Sequence, residues 1–375
     1  MEVVRLDISN LRRFDQVQLR PAAGLNLITG DNGAGKSSVL EALHLMAYGR
    51  SFRGRVRDGL VRSSHAALEV FVEWREGIGS RSDFAVVEGA PQERLRRAGL
   101  RHTGQEWSGR LDGQSVDQLG ELCAALAVVT FEPGSHALVS GSSDSRRRYL
   151  DWGLFHVEHE FMSTWRRYSR ALKQRNALLK TRASGAQLDA WDRELAESGE
   201  PLSGFRESYL RSLEPGFVRL CAELSPALGE ASVAYLPGWR RDELPLADAL
   251  LLARPRDLQA GFTSVGPHRS DWRIGFSSLP GREALSRGQA KLAALCALLA
   301  QADHLAAINH EWPVVALDDL SSELDRHHQQ RVLGYLLDSG AQVFVTGTDA
   351  PPALRTLGRE ATVFHVEHGL VHPGS

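Results

Sequence analysis

The segment GDNGAGKS at residues 30–37 constrains this chain more than any other part of its sequence. A short apolar run at residues 24–29 precedes it, and a helical pattern at residues 38–47 follows it. Glycine lets successive backbone N–H groups turn inward around an anion, at angles that a residue with a Cβ adopts poorly. The positive end of the following helix faces the same anion. The sequence therefore predicts a phosphate loop between a buried strand and a helix.

The residue types of this loop indicate a nucleoside triphosphate bound together with Mg²⁺. Lys36 places a positive charge at the β- and γ-phosphates, and the Ser37 hydroxyl is a ligand for Mg²⁺. We expect ATP and Mg²⁺ as cofactors, with Lys36 among the catalytic residues. The predicted ATP contacts are Gly30, Asp31, Asn32, Gly33, Ala34, Gly35, Lys36, Ser37 and Ser38.

A second motif, PVVALDD at residues 313–319, is an apolar strand that ends in two acids. Beside a phosphate loop, such a strand brings Asp318 to the Mg²⁺ shell, so Asp318 joins Ser37 as a predicted metal ligand. Asp319 then faces the γ-phosphate, where it positions or activates the attacking water, and it is the second predicted catalytic residue. The alternative interpretation is a buried strand that ends in a solvated acidic turn.

A third motif, at residues 286–289, lies between the phosphate loop and the acidic strand. It precedes an apolar helical segment at residues 292–300. Its hydroxyl, backbone amides and helix N-terminus suit an anion, whereas the alternative is an ordinary N-cap at Ser286. The segment resembles the ABC signature motif, which contacts the γ-phosphate of ATP held by the opposite subunit. The residues assigned to it are Ser286, Arg287, Gly288 and Gln289.

The segment after the acid pair, SSELD at residues 321–325, resembles the D-loop, which crosses the dimer interface of ABC proteins. We assign Ser322 and Asp325 to this loop. The next apolar run ends at Thr346 and is followed by Gly-Thr-Asp, without the switch histidine of transporter ATPases. No glutamine near residues 131–133 matches a Q-loop either. The sequence leaves these two elements unassigned.

The strand-like pattern at both ends of the chain gives way to a helical one from Ser145 to about Leu228. One apolar stripe of helical spacing consists of Phe161, Trp165, Tyr168, Leu172 and Leu179. Two antiparallel helices of this length reach only about 60 Å each, too short for a long coiled coil. We predict an α/β ABC-type P-loop ATPase head with an inserted, mainly helical lobe. The predicted parts are residues 1–133 and 254–375 for the ATP-binding domain and 134–253 for the lobe.

The bulk composition predicts a cytoplasmic protein. No run of about 18 apolar residues stands out, the start carries no secretory pattern, and the three cysteines lie far apart. The net charge of −2 does not indicate nucleic-acid binding. The pentapeptide FHVEH occurs at residues 155–159 and again at 364–368. Metal binding and chance are the two interpretations of this repeat, and the spacing favours chance.

The order of phosphate loop, signature, acidic strand and D-loop resembles the ABC ATPase superfamily, and the helical interval resembles its SMC/Rad50-like repair branch. Three further segments are similar to the RecF family: LRRF at residues 11–14, RRRYLDWG followed by Phe155 and His156 at 146–156, and VGPHRSD at 265–271. This resemblance implies a weak, DNA-stimulated ATPase that uses slow hydrolysis as a switch. The superfamily commonly has a glutamate at the position of Asp319, and the shorter aspartate fits slow hydrolysis.

The same resemblance implies the partners. It implies a homodimer formed on ATP, located in the cytoplasm at the nucleoid, that binds duplex DNA next to single-stranded gaps. It also implies that RecO and RecR act with this protein to load the RecA recombinase, in replication restart and the SOS response. None of these partners can be identified from the residues themselves.

Clusters of arginine give independent candidates for DNA binding. Residues 146–182 hold ten lysines and arginines against three acids, which predicts a helix with a basic face for phosphates. A solvated arm without a ligand is the alternative. The candidates on this face are Arg166, Arg167 and Arg170, and a second group, after the phosphate-loop helix, is Arg53, Arg55 and Arg57.

Two other function classes are open at this point. The chain could be the ATPase subunit of an ABC transporter, but the long helical insert and the missing switch histidine disfavour it. A kinase is the other class, and it leaves the signature and D-loop without a role. Binding to DNA-cellulose, compared with cofractionation with membranes, separates a DNA-binding repair ATPase from a transporter subunit.

Overall fold

The computed structural model describes residues 1–54, 59–77, 93–181, 185–279 and 285–374. The strands are β1 Glu2–Ser9, β2 Gln16–Leu19, β3 Leu25–Thr29, β4 Leu68–Gly77, β5 Glu93–His102, β6 Trp107–Leu111, β7 Gln114–Val116, β8 Val128–Phe131, β9 Ala231–Leu236, β10 Asp271–Phe276, β11 Val314–Leu317, β12 Val343–Thr346, β13 Thr362–Glu367 and β14 Leu370–Pro373. The helices are α1 Lys36–Tyr48, α2 Leu119–Ala125, α3 Ala137–Ser140, α4 Ser143–Val157, α5 Phe161–Lys180, α6 Gly185–Leu224, α7 Leu246–Ala260, α8 Arg287–Asn309, α9 Leu320–Glu323, α10 Arg326–Ser339 and α11 Pro352–Leu357.

The chain divides into two compact units, Met1–Ser135 with Leu295–Ser375 and His136–Ala294. The first unit contains a sheet of order β14-β13-β3-β12-β11-β8, in which all neighbours except β13 and β14 pair in parallel. Every residue of β3, β8, β11 and β12 is buried, as expected for strands covered on both faces. The carboxyl ends of the parallel strands therefore meet at one edge, where ligands of such sheets bind.

A second, antiparallel sheet of the first unit has the order β2-β1-β4-β5-β6-β7. Burial alternates along β4, so that Val70, Val72 and Trp74 face the core. The helix α1 is buried along almost its whole length, from Lys36 to Ala47. The two sheets share a core with this helix, and the core fixes the position of the phosphate loop at the helix start. Residues 83–87, whose sequence has a strand-like pattern, lie outside the described residues.

The second unit is mainly helical, as predicted. The helix α5 packs along α6, which has 40 residues and hence a length of about 60 Å. The predicted apolar stripe on α5 needs a correction: Trp165 is 38% exposed, while Arg175 points into the interior with 0% exposure. Ion pairs with Asp192 and Asp257 account for the burial of Arg175, because a paired guanidinium can take the place of an apolar side chain in the packing.

The predicted boundary at residue 253 differs from the observed division. It falls inside α7, a continuous helix that packs against α6, and β10 pairs with β9. These contacts group residues 254–294 with the helical unit. The lobe therefore takes a longer share of the chain than its helical pattern indicated.

One described helix, α8, is long and apolar enough to cross a membrane by length and composition. The expectation that no segment has these properties was therefore wrong. Of its most apolar 18-residue window, 67% is buried inside the protein. A buried core helix passes the same test, so α8 is only weak support for a membrane span.

Candidate nucleotide-binding site

The phosphate loop follows β3, and its backbone depends on glycine. Gly30, Gly33 and Gly35 have φ values of 144°, 80° and 122°, in the region that L-residues rarely adopt. A Cβ on Gly30 would also lie 2.2 Å from the carbonyl oxygen of Val366 in β13. Two independent constraints therefore require glycine at the first position of the loop.

Lys36 is the first residue of α1, and its ammonium lies against the loop. Its Nζ donates to the carbonyl oxygens of Gly30 at 2.7 Å and Asp31 at 2.9 Å, and the side chain is 8% exposed. The loop thus holds a compact positive charge next to its own inward-turning backbone. Of the other predicted contacts, Asp31, Asn32 and Gly33 are exposed, Gly35 and Ser37 are half-buried, and Ala34 and Ser38 are buried.

Asp318 lies at the carboxyl end of β11, which is separated from β3 by the strand β12. It is 2% exposed, and the Thr346 hydroxyl donates to its Oδ1 at 2.7 Å. The guanidinium of Arg53 lies 3.9 Å from its Oδ2. Within the described part of the chain, Oδ1 is the only carboxylate oxygen of Asp318 that accepts a hydrogen bond. The Oδ2 oxygen is therefore the one that a cation can use.

Asp319 has a left-handed backbone conformation, with φ 51° and ψ 45°. Its N–H donates to the Thr346 hydroxyl at 2.8 Å, and its carbonyl oxygen accepts from Ser322 at 2.9 Å. Aspartate is one of the few residues with a side chain that visit this conformation. The turn separates the two acids of the pair, with Asp318 buried and Asp319 half-buried.

A buried carboxylate in α1 was missed by sequence reasoning. Glu41 is 0% exposed and receives two hydrogen bonds from Arg12, at 2.8 and 3.0 Å, which raise the pKa of the Arg12 guanidinium. Ser51 also donates to Glu41, and the Ser51 Oγ accepts from the Arg53 N–H at 2.9 Å. This network ties the LRRF turn to the segment that carries Arg53. The resemblance of the LRRF segment to the RecF family was the only sequence signal for this network, and it did not indicate that Arg12 contacts Glu41.

His44, on the same helix, is buried and neutral. Burial lowers its pKa to about 3, with a smaller contribution from Arg50. Its Nδ1 lies 3.0 Å from the Thr130 hydroxyl of β8, and its ring stacks on Tyr48 at 4.0 Å. The histidine therefore fixes the packing of α1 on β8 and carries no charge near neutral pH.

The residues at the carboxyl end of β11, where Asp318 and Asp319 lie, are suited to a Mg²⁺ ion that is also bound by the phosphates of a nucleotide. No group of three His, Cys, Asp or Glu side chains that could hold a metal occurs among the described residues. A protein cage is not required, because Mg²⁺ is usually bound through one or two carboxylates together with substrate phosphates. Asp318 offers one buried carboxylate oxygen for this purpose, and Ser37 stands in the first turn of α1.

The predicted signature belongs to the second unit, where it opens α8. The N–H of Ser286 donates to Gln289 Oε1 at 2.9 Å, and the N–H of Gln289 donates to the Ser286 Oγ at 3.3 Å. This reciprocal pair is a capping box, so the N-cap alternative describes the local geometry. Ser286, Arg287 and Gly288 are nevertheless exposed, so the predicted contact with a second subunit is sterically open to them.

The predicted D-loop residues have local contacts in the first unit. Asp325 is the N-cap of α10 and accepts from the His328 N–H at 3.0 Å, and this bond lowers the pKa of the Asp325 carboxyl. Ser322 is exposed in α9. The Nδ1 of His328 also lies 2.7 Å from Asp325 Oδ2, so the side chain of His328 belongs to this cap.

The basic face predicted for residues 146–182 is smaller than its composition indicated. Arg146 and Arg175 are buried in ion pairs with aspartates, and Arg167 is paired with Glu194 and Glu197. Arg166 and Arg170 are exposed. In the other group, Arg53 lies beside Asp318, while Arg55 and Arg57 lie outside the described residues.

The parallel sheet, phosphate loop and acid pair define an ABC-type ATPase head. The family model described as RecF/RecN/SMC N terminal domain matches residues 2–371. The DNA replication and repair protein RecF of Stenotrophomonas maltophilia (strain R551-3) is 64% identical over 371 residues, covering 99% of each chain. The RecF protein of Shewanella sediminis is 36% identical, again over 99% of each chain. The chain therefore belongs to the RecF family.

Solved structures agree with this membership. The recombination mediator protein RecF-ATP of the RecFOR pathway has a TM-score of 0.85 and 27% identity, covering 100% of this chain and 98% of that chain. An Smc head domain of Pyrococcus furiosus has a TM-score of 0.58 and 16% identity, covering 99% and 95%. The second likeness concerns the fold alone. Together with the family model and the RecF structure, it confirms the predicted α/β ATPase head.

Proposed function

We propose that this protein is an ATP-switched, DNA-binding protein of recombinational repair. The observation that carries the proposal is the joint geometry of the phosphate loop, Lys36 and the Asp318–Asp319 turn. Relatives described as DNA replication and repair proteins, and a solved RecF described with ATP in the RecFOR pathway, support the repair role.

In this proposal the backbone of residues 30–35 and Lys36 hold the triphosphate. Ser37 and Asp318 hold Mg²⁺, which neutralises charge on the phosphate oxygens when it is bound. Asp319 orients and deprotonates the attacking water. Hydrolysis is slow, because an aspartate reaches less far than a glutamate. The bound state therefore lasts long enough to act as a switch.

Lys36→Met tests the phosphate loop. The variant loses the charge at the β- and γ-phosphates, so ATP binding, dimerisation and stable DNA binding fall together. Lys36→Arg keeps the charge and binds nucleotide better than it hydrolyses it. Equilibrium binding of a fluorescent ATP analogue measures the first effect. ATP hydrolysis at the wild-type rate in Lys36→Met would exclude the assignment.

Dimerisation on ATP is the second part of the proposal. Ser286, Arg287, Gly288 and Gln289 of one subunit contact the ATP of the other, while Ser322 and Asp325 line the same interface. Sedimentation with ATP and Mg²⁺ gives a dimer for the wild type. The Ser286→Arg variant binds ATP but stays monomeric, since the bulky cation blocks the interface. Ser163→Arg, at an exposed serine of the same unit, is the matched control and still dimerises. A dimer that forms without ATP in all three proteins contradicts the proposal.

DNA is the third part, with duplex next to single-stranded gaps as the ligand. RecO and RecR act with this protein to load RecA, at the nucleoid, in replication restart and the SOS response. Arg166 and Arg170 are exposed and are the first candidates for the proposed phosphate contacts. The further candidates are Arg53, Arg55, Arg57 and Arg167. Footprints on gapped DNA with ATP, ADP and no nucleotide test the preference.

The salt dependence of binding tests the arginine face. The logarithm of affinity falls with the logarithm of salt at a slope of about −0.9 per phosphate neutralised. Replacing Arg166 and Arg170 by alanine flattens this slope by about one to two phosphates, while ATP binding is unchanged. Arg211→Ala on α6, where the arginine is 73% exposed, is the control with an unchanged slope. An unchanged slope in the double variant moves the site to the group after α1.

A further inference from the structure

We infer that Thr346 is a positioning residue that orients both acids of the ATP site through one hydroxyl group. The inference rests on the proposed function, in which Asp318 holds Mg²⁺ and Asp319 orients the water. Thr346 is not a catalytic residue, because its hydroxyl bonds to Asp318 and Asp319 and acts through them. It stands at the end of β12, where the sequence leaves the transporter switch histidine without a counterpart.

The sheet places Thr346 next to the acid pair. Strand β12 lies between β3 and β11, and its Val345 is in register with Leu317, the last residue of β11. Thr346 follows Val345 just as Asp318 follows Leu317. The two side chains therefore meet at the carboxyl edge of the sheet by strand register, without any contribution from a loop.

The hydroxyl of Thr346 makes one bond to the carboxylate of Asp318 and one to the backbone of Asp319. It has a single hydrogen, which it donates to Asp318 Oδ1 at 2.7 Å. Its oxygen accepts the N–H of Asp319 at 2.8 Å. Thr346 is 1% exposed and Asp318 is 2% exposed, so the bond between their side chains is shielded from solvent.

Each bond fixes one property of the site. The bond to Oδ1 occupies one oxygen of Asp318 and sets the carboxylate plane, which leaves Oδ2 as the cation ligand. The bond to the Asp319 N–H stabilises a residue with φ 51°, a conformation that aspartate adopts only with local support. The metal ligand and the water-orienting acid are thereby coupled, and one substitution disturbs both.

The test compares Thr346→Val, Thr346→Ala and Thr346→Ser. Valine keeps the shape and removes the hydroxyl, alanine removes the hydroxyl without placing a methyl group at the carboxylate, and serine keeps the hydroxyl. The first readout is the Mg²⁺ concentration for half-maximal binding of a fluorescent ATP analogue, alongside binding in EDTA. The second readout is single-turnover hydrolysis at saturating ATP and Mg²⁺.

Loss of the hydroxyl raises the half-maximal Mg²⁺ concentration by about 10- to 100-fold, the usual effect of losing a group that orients a metal ligand. Single-turnover hydrolysis falls by a similar factor, while ATP binding in EDTA is unchanged. Thr346→Ser restores both values to within about threefold of the wild type. If valine disturbs folding, as judged by thermal unfolding, the alanine variant gives the comparison.

Two results overturn the inference. One is a wild-type Mg²⁺ requirement in both Thr346→Val and Thr346→Ala. The other is a serine variant as impaired as the valine variant, which shows that the methyl group matters and the hydroxyl does not. Asp318→Asn in the same titration separates this failure from that of the proposed function. If Asp318→Asn leaves the Mg²⁺ requirement unchanged, the metal assignment itself is wrong.

Discussion

Two buried aspartates, one in each unit, differ in how many of their oxygens accept hydrogen bonds. Asp257 in the helical unit is 0% exposed, and both of its oxygens are occupied: Oδ2 accepts from Arg175 at 2.7 Å, and Oδ1 accepts from Ser264. Asp318 in the ATPase unit is 2% exposed, and only its Oδ1 accepts a hydrogen bond from the described residues. The partners of Asp257 are part of the fold. Asp318 Oδ2 accepts no hydrogen bond from the described residues and lies 3.9 Å from the exposed Arg53 guanidinium, so a ligand can use it.

This difference shows how a carboxylate of the fold is distinguished from a carboxylate of a site. Removing a buried charge from water is costly, so an interior carboxylate in a stable structure is paired and hydrogen-bonded. A buried carboxylate with one oxygen that accepts no protein hydrogen bond lowers the stability of the fold, but this oxygen can bind a ligand. Burial alone does not separate the two cases, but the number of occupied oxygens does.

The largest effect is expected from the same substitution at the two aspartates. Asp257→Asn breaks a buried ion pair and turns an amide N–H₂ toward a donor, so the free energy of unfolding falls by about 3–5 kcal/mol. Asp318→Asn keeps an oxygen for Thr346 and removes a partly compensated charge, so stability is unchanged or higher. Urea unfolding of both variants measures the contrast. Equal losses at the two positions would contradict the distinction.

The next effect concerns chemistry at the acid edge. Asp319→Asn removes the group proposed to take the proton of the attacking water, so single-turnover hydrolysis drops by about a hundredfold or more. The ATP dimer and its DNA binding persist, because the metal ligand Asp318 is intact. Asp338→Asn, at an exposed aspartate of the same unit, serves as the control. Normal hydrolysis in Asp319→Asn assigns the water to another group, such as Glu323.

Acid sensitivity extends the comparison to one histidine in each unit. Burial lowers the pKa of His44 to about 3 and that of His268 to about 4. The imidazoles of His44 and His268 are therefore protonated less readily in the folded protein than in the unfolded chain. The stability contributed by neutral histidine is complete above pH 6.5, the ordinary pKa, and declines as the pH falls toward the folded values.

From pH 7.5 to 5.5 each histidine lowers the free energy of unfolding by about 1.4 kcal/mol. Hydrogen exchange of peptides from α1 and from α5 follows the two units separately. His44→Gln removes the dependence in α1 and leaves it in α5, where Tyr168 contacts His268 at 2.7 Å. A pH profile of α1 that is unchanged by this substitution would show that other groups control its stability.

The smallest effect is expected on the helix α5, where two arginines each pair with two carboxylates. Arg167 is 48% exposed and pairs with Glu194 and Glu197, whereas Arg175 is fully buried. Arg167→Ala costs at most about 1 kcal/mol of unfolding free energy, because solvent screens exposed pairs. Thermal unfolding measures this value, with Arg175→Ala as the destabilised comparison. A larger loss in Arg167→Ala than in Arg175→Ala reverses the proposed ranking.

Much of the ATP site could be predicted from the sequence because its parts are local. The phosphate loop needs glycine at defined backbone angles, and its lysine follows directly in the chain. Strands buried on both faces are continuous apolar runs, and β11 and β12 were visible as such. Thr346 was not identified as a partner of Asp318, since their contact depends on the register between two strands 28 residues apart.

The pentapeptide FHVEH marks the limit of local information. In its first copy Phe155, His156 and Val157 belong to the helix α4, while in its second copy residues 364–367 belong to the strand β13. The same residues thus take two secondary structures, because tertiary packing outweighs their weak intrinsic preferences. The sequence determined the phosphate loop, the acid pair and the family. Only the tertiary structure decided which charges were compensated, because their partners come from distant parts of the chain.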